Sequence, residues 1–140
     1  MKLKRGNMKI EEQVLSIEQM KHLQELGVDT SDASMCWLRY DVGGVVKQFV
    51  EINDIKDYEW SYATQYPTYT IGDLIYKLPK SIDLGFGEYD LELSIKREYV
   101  EVQYENDYDD YTPFFCANLS LIESLYRILC WVAENHKELL

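Results

Sequence analysis

The most constraining feature of this sequence is an amphipathic helix near its carboxyl end, predicted over residues 118–135. Ser120 and Glu123 form a capping-box pattern, in which the serine hydroxyl accepts the N–H of Glu123 and the glutamate carboxylate returns to the N–H of Ser120. At about 100° per residue, one side of the helix carries the apolar stripe that a core-facing helix requires. This stripe consists of Leu121, Leu125, Ile128, Leu129 and Val132.

The apolar surface of this helix extends beyond the stripe. Tyr126 and Trp131 widen it on both flanks, and Cys130 lies near the otherwise polar side. One small sheet would not cover so wide an arc, because a helix that packs on a single layer buries only one stripe. Either a second layer of the chain or another subunit is therefore expected to pack on the helix, and the second alternative predicts a homodimer.

The rest of the chain predicts an α+β fold in one domain. Two hairpins are expected to form an antiparallel sheet of four to five strands, accompanied by about three helices. A helix should begin after Ser16 and another after Thr70, whereas residues 53–69 form a long connection that is a loop or hides a short element. The predicted strands are residues 35–40, 45–52, 89–95, 100–105 and a short edge strand at 114–117. We assign residues 10–140 to this domain and residues 1–9 to a flexible basic tail.

Charge restricts the partners that such a chain attracts. The formal net charge is −11, and it becomes −15 without the tail, whose only charged residues are Lys2, Lys4, Arg5 and Lys9. So acidic a domain repels nucleic acid and anionic membranes, and it favours basic partners. The sequence therefore predicts a protein partner, no nucleic acid and no membrane.

The cysteines and the hydropathy pattern point to the cytoplasm. No apolar run approaches the ~20 residues that span a bilayer, and no signal peptide is evident. Cys36, Cys116 and Cys130 are odd in number and lack the spacing of metal ligands, so they are expected to be reduced thiols.

Three segments of the sequence also resemble a group of small uncharacterised proteins encoded in gut bacterial genomes and their prophages. The resemblance is carried by residues 15–30 (LSIEQMKHLQELGVDT), by PTYT at 67–70 leading to LPK at 78–80, and by ILCW at 128–131. It would span about residues 15–135. What it implies is a compact cytoplasmic accessory protein, and because no activity is assigned to that group, it transfers no functional residue.

Catalytic and metal-binding patterns are weak. The densest carboxylate cluster is Asp107, Asp109 and Asp110, but a helix-loop-helix calcium site counted from Asp107 would need Gly and an acid where Thr112 and Asn118 stand. No phosphate-binding loop, dinucleotide fingerprint or nucleophile elbow occurs, so we predict no catalytic residue, no metal ligand and no cofactor. A small hydrolase or metal-binding enzyme that uses the acidic loop remains an alternative.

Aromatic side chains in acidic loops are the remaining candidates. Exposed Tyr and Trp supply binding surface at low entropic cost, although such rings also fold back as small cores beneath long loops. The candidate interaction residues are Tyr58, Trp60, Tyr62, Tyr66, Tyr108 and Tyr111 in the loops, together with Tyr126, Cys130 and Trp131 on the helix.

We therefore predict a non-catalytic cytoplasmic interaction or accessory protein, of prophage or mobile-element origin by resemblance. An acidic mimic of nucleic acid is another alternative, which the charge of −15 and the resemblance to prophage proteins permit, but a decoy must present its carboxylates in a continuous stripe. Five lysines interrupt the acids along the sequence and count against that alternative. They are Lys47, Lys56, Lys77, Lys80 and Lys96.

Overall fold

The computed structural model describes residues 9–53 and 63–140, in which three α-helices accompany seven strands. The helices are α1 (Ile17–Glu25), α2 (Ile71–Lys77) and α3 (Leu121–Asn135), and short 3-10 turns occur at Ile10–Glu12 and Lys137–Leu139. The strands are β1 (Met35–Val42), β2 (Val45–Ile52), β3 (Ala63–Thr68), β4 (Ser81–Asp83), β5 (Glu88–Ile95), β6 (Val100–Glu105) and β7 (Phe114–Asn118). The predicted α+β class is confirmed.

The first two helices begin where their capping patterns predict. The Ser16 hydroxyl accepts the N–H of Gln19 at 3.1 Å, and the Gln19 side chain accepts the N–H of Ser16 at 2.9 Å. Thr70 and Asp73 form the same reciprocal pair before α2. Each pair satisfies two backbone donors that a helix start would otherwise leave without partners.

The capping box predicted for α3 is only half correct. The Ser120 hydroxyl accepts the N–H of Glu123 at 3.3 Å, but the Glu123 carboxylate does not return to the N–H of Ser120. It instead accepts hydrogen bonds from Arg127 Nε at 3.0 Å and from Gln19 Nε2 at 2.9 Å. The N–H of Ser120 donates to the Asn118 side chain at 3.0 Å, so a different side chain satisfies it.

One sheet has three antiparallel strands in the order β2-β1-β3. β3 lies within the connection predicted at 53–69, so that connection does contain a short element. Trp37 from β1 and Val50 from β2 pack against Val14 and Ile17 in a small core. The indole N–H of Trp37 donates to the Leu15 carbonyl at 2.8 Å, which joins this core to the start of α1.

The other sheet has four antiparallel strands in the order β4-β5-β6-β7. Its inner face contributes Tyr89, Val102 and Tyr104 to the main core, and α3 packs on β6 and β7. The strands of the described ranges outnumber the predicted four to five, because β4 was not predicted and β3 lies in the connection that was left open as a loop or a short element. The two predicted hairpins belong to different sheets and not to one.

The wide apolar arc of α3 finds its second layer within the chain. Leu125, Ile128, Leu129 and Val132 are fully buried. The sheet packs on one side of the helix and α2 and α1 pack on another. The width of the arc therefore does not require a second subunit, and the homodimer stays a prediction without support from this helix.

Candidate functional site

The most unusual surface of the molecule is the outer face of the four-stranded sheet. Alternate residues of a strand point to opposite faces, so the buried Ile82, Tyr89, Val102 and Tyr104 fix which residues point outward. The outward positions of β4, β5 and β6 hold six carboxylates, which we call the acidic face. They are Asp83, Glu88, Asp90, Glu92, Glu101 and Glu105.

The strand register brings like charges together on the acidic face. Asp90 lies directly opposite Glu105, and Asp83 lies opposite Glu88. Gln103 donates to Glu105 Oε2 at 2.9 Å, but no carboxylate of this face forms an ion pair with another residue of the described ranges. Like charges on opposed residues destabilise a sheet, so folding alone does not account for the arrangement.

Of the basic residues in the neighbouring segments, Lys77 and Lys80 have partners outside this face. The Lys80 ammonium donates to the carbonyl oxygens of Ile75 and Leu78 at the end of α2, and Lys77 pairs with Asp32 at 2.9 Å. Lys47 lies on β2, in the other sheet, and Lys96 follows the end of β5. No lysine or arginine occupies an outward position of β4, β5, β6 or β7, so Lys47, Lys77, Lys80 and Lys96 do not interrupt the acids along these strands, whereas Lys56 lies outside the described residues.

One end of the acidic face forms a concavity of about 430 Å³. Its floor includes four of the acids, its wall is the loop after β6, and Phe86 and Tyr108 contribute aromatic side chains. The complete lining is Phe86, Gly87, Glu88, Asp90, Glu92, Glu105, Asn106, Asp107, Tyr108 and Asp109. The concavity thus combines negative charge with exposed aromatic surface.

The loop that forms this wall has a defined structure. Asp109 accepts hydrogen bonds from the Tyr89 hydroxyl at 2.8 Å and from the N–H of Tyr111 at 2.9 Å. The Asn106 side chain accepts the N–H groups of Tyr108 at 3.1 Å and Asp109 at 2.9 Å. The hydrogen bond from Tyr89 holds the pKa of Asp109 below its usual range. Asp109 therefore fastens the loop to the sheet as a carboxylate.

These contacts give no support to an enzyme built on the acidic loop. All three acids are exposed, and Asp109 already accepts hydrogen bonds from Tyr89 of β5 and from the backbone of Tyr111. Within residues 9–53 and 63–140, no three or more His, Cys, Asp or Glu side chains are arranged to hold a metal ion.

Two of the predicted aromatic residues lie beside the acidic face. Tyr108 is 97% exposed, and Tyr111 is about half exposed in a ring cluster with Phe86 and Tyr89. Phe86 is 70% exposed and was missed in the sequence, because it stands between two glycines in a turn without any periodic pattern. Tyr58, Trp60 and Tyr62 lie outside the described residues.

The other predicted residues that the structure describes are part of the packing instead. Tyr66 packs against the small core of the three-stranded sheet, with the Lys21 ammonium 5.3 Å from its ring centre. Trp131 is half-buried against Tyr104 and Phe114, at ring-centre distances of 5.9 and 5.6 Å.

Tyr126 and Cys130 are also half-buried on α3. The Tyr126 ring centre lies 6.3 Å from that of His22 on α1. Burial raises the pKa of the Cys130 thiol, which therefore stays protonated at neutral pH. The structure thus brings Tyr108 and Tyr111 to the acidic face, and it places Tyr66, Tyr126, Cys130 and Trp131 in helix and core contacts.

Comparisons with protein-family models, with curated proteins and with solved structures gave no match to this chain. None of the helices in the described ranges has the length and apolar character that crossing a bilayer requires.

Proposed function

We propose that this protein is a non-catalytic binding protein whose acidic face docks onto a basic surface of another protein. The observation that carries the proposal is the set of six outward carboxylates on β4, β5 and β6, which have no cation among the described residues. A basic partner would relieve the repulsion between them and would be steered toward them over a distance of about a Debye length.

The exposed aromatic side chains add contact area to this charge. Phe86, Tyr108 and Tyr111 lie at the concave end of the face, where four acids and the loop after β6 meet. Aromatic side chains with charged neighbours are common among the residues that dominate binding energy, because they desolvate a large area with few rotatable bonds. A partner that carries lysine or arginine beside apolar groups would complement both the negative charge and the exposed aromatic surface.

A matched pair of variants tests the proposal in an extract of the source cells. One variant neutralises the acidic face by Asp90→Asn, Glu92→Gln and Glu105→Gln. The other neutralises three exposed acids elsewhere by Glu11→Gln, Glu18→Gln and Glu134→Gln, so both variants lose the same charge. We expect the immobilised protein and the second variant to retain the same basic protein in quantitative mass spectrometry, and the first variant to retain about tenfold less. Equal retention by both variants would contradict the proposal.

One observation favours mimicry of nucleic acid as a second candidate function. The acids occupy alternate positions on adjacent strands, so they form rows about 4.8 Å apart, and no lysine interrupts them. A decoy requires such a continuous negative surface. If the retained protein is a nucleic-acid-binding protein, added duplex DNA should displace this chain from it. Failure of DNA to compete would leave the general proposal intact and remove this second candidate.

A further inference from the structure

The edge strands of the two sheets differ in how they are protected. Exposed edges invite pairing with other chains, and natural proteins protect them with charges, proline or very short strands. β2 carries Lys47 and Glu51, β3 contains Pro67, and β4 is only three residues long. β7 has five residues and contains neither a charged residue nor proline.

β7 is also held firmly in a pairing-competent form. Among the described residues it pairs only with β6, so its other edge presents backbone N–H and C=O groups. On the inner side, the Cys116 thiol lies 3.8 Å from the Ser124 hydroxyl, and the Phe114 ring packs against Trp131. A strand fixed in this way loses little entropy when another strand is added to it.

The free edge of β7 lies next to the acidic face. Its outward residues are Phe115, which is opposite Gln103, and Ala117, which is opposite Glu101. Both outward residues are exposed. A strand added at this edge would lie about 4.8 Å from β7 and about twice that distance from β6. Because Ala117 is small, a lysine or arginine side chain on the added strand can extend across it to the carboxylate of Glu101.

We infer that β7 is a strand-addition site, at which an extended segment of the basic partner continues the four-stranded sheet. The inference rests on the proposed function and specifies how the partner binds. Main-chain hydrogen bonds to β7 would supply affinity. Alternate basic side chains of the segment would lie on the outer face beside Phe115 and the acids, and the apolar side chains between them would point to the inner side of the sheet, where Phe114 packs. The segment is therefore expected to contain lysine or arginine at every second position.

A synthetic peptide of eight residues with alternating lysine and valine is the probe. Two control peptides carry N-methyl groups on every lysine or on every valine, which keeps the charge. Only alternate N–H groups of an added strand face its neighbour, so one of the two controls loses the donors that pair with β7. We expect the unmodified peptide to bind at least tenfold more tightly than that control in fluorescence anisotropy, and equal binding of all three peptides would overturn strand addition.

Protein variants separate this inference from the proposed function. Ala117→Arg places a cation opposite Glu101 and should reduce peptide binding about tenfold, whereas Tyr76→Arg adds the same charge on the exposed side of α2 and should not. Circular dichroism of both variants checks that they fold. If binding is unaffected by methylation yet is lost on neutralising Asp90, Glu92 and Glu105, strand addition fails and the charge-based proposal stands. If neutralising those three acids leaves peptide binding unchanged, the proposed function itself fails.

A second copy of the chain is the competing occupant of this edge. Sedimentation of the protein alone distinguishes it from a partner segment, since pairing between two β7 strands would produce a dimer that Ala117→Arg dissociates. We expect a monomer at micromolar concentration. A dimer of this kind would overturn the inference.

Discussion

The two faces of the four-stranded sheet are built by alternate residues of the same strands, yet they obey different requirements. On the inner face, Tyr89, Val102 and Tyr104 are fully buried, and each apolar side chain removed from water contributes about 1.5–3 kcal/mol to folding. On the outer face, Asp90 faces Glu105 across two strands without a cation. Core formation explains the residues of the inner face, whereas repulsion between the acids of the outer face opposes folding.

Because folding does not explain the outer face, that face is the part of the molecule that we connect with function. A solvated sheet face needs only polar residues, and mixed lysine and glutamate would satisfy that need at lower electrostatic cost. The outward positions of β4, β5 and β6 hold acids, serines and one glutamine, with no lysine or arginine. Such a single-signed surface is the kind that attracts an oppositely charged partner.

The largest change in the free energy of unfolding is expected from truncating a core residue of α3. Leu129 is fully buried on α3, so Leu129→Ala should lower the free energy of unfolding by about 3 kcal/mol through lost burial and a residual cavity. Leu119→Ala, at a position that is 86% exposed, should change it by less than about 0.5 kcal/mol. Urea denaturation measures both values. A similar loss in the two variants would show that α3 is not the centre of the core.

Removing a hydrogen bond at the inner face should lower the free energy of unfolding by a smaller amount. The Tyr104 hydroxyl donates to the Pro79 carbonyl at 2.8 Å, so Tyr104→Phe should cost about 1 kcal/mol. The control is Tyr108→Phe, at the 97% exposed position beside the acidic face, where no change in unfolding free energy is expected. If Tyr104→Phe also leaves the unfolding free energy unchanged, the hydrogen bond does not contribute to the fold.

The contribution of Asp32 to the stability of the fold should depend on pH, because hydrogen bonds lower the pKa of its carboxyl group. Burial alone would raise the pKa of Asp32, but hydrogen bonds from Tyr69 and Lys77 lower it below its usual range. Asp32 therefore stabilises the fold above about pH 4, and this contribution is lost as the pH falls through the lowered pKa. Because Asp32 is about half exposed, we expect Asp32→Asn to cost less than about 1 kcal/mol at pH 6.

The measurement for Asp32 is a pair of urea denaturation curves at pH 6 and pH 2. The unfolding free energies of the wild type and Asp32→Asn should differ at pH 6, and the difference should be smaller at pH 2. A constant difference at both pH values would mean that the ionised carboxylate is not what stabilises the connection between Asp32 and Lys77.

Local signals in the sequence were sufficient for much of the fold. The capping pairs at Ser16 and Thr70 and the alternation of β5 and β6 act over a few residues, and the structure confirms all of them. β3 was not resolved from the sequence, because Pro67 and the polar residues around it are typical of a loop. Glu123 was assigned to its own helix start, but its partners Arg127 and Gln19 include a residue 104 positions away.

The candidate site was less accessible from the sequence than the fold. Alternation predicts that Asp90, Glu92 and Glu101 point to solvent, but only the strand register shows that acids face acids. The register also places Ala117 beside Glu101, which depends on pairing between segments that are distant in the chain. The aromatic trio of Phe86, Tyr89 and Tyr111 likewise requires contacts between two segments that are distant in the chain.

The smallest expected effect gives the most direct test of the account. Asp90→Asn removes one of two opposed charges, whereas Asp41→Asn makes the same chemical change on β1, where the opposite residue is Val46. At 10 mM salt, Asp90→Asn should raise the free energy of unfolding by about 0.5 kcal/mol, a gain that shrinks in 0.5 M salt because the repulsion is screened. Asp41→Asn should show no such gain. A loss of stability in Asp90→Asn would contradict the account, because it would mean that the outward acids support the fold and require no partner to explain them.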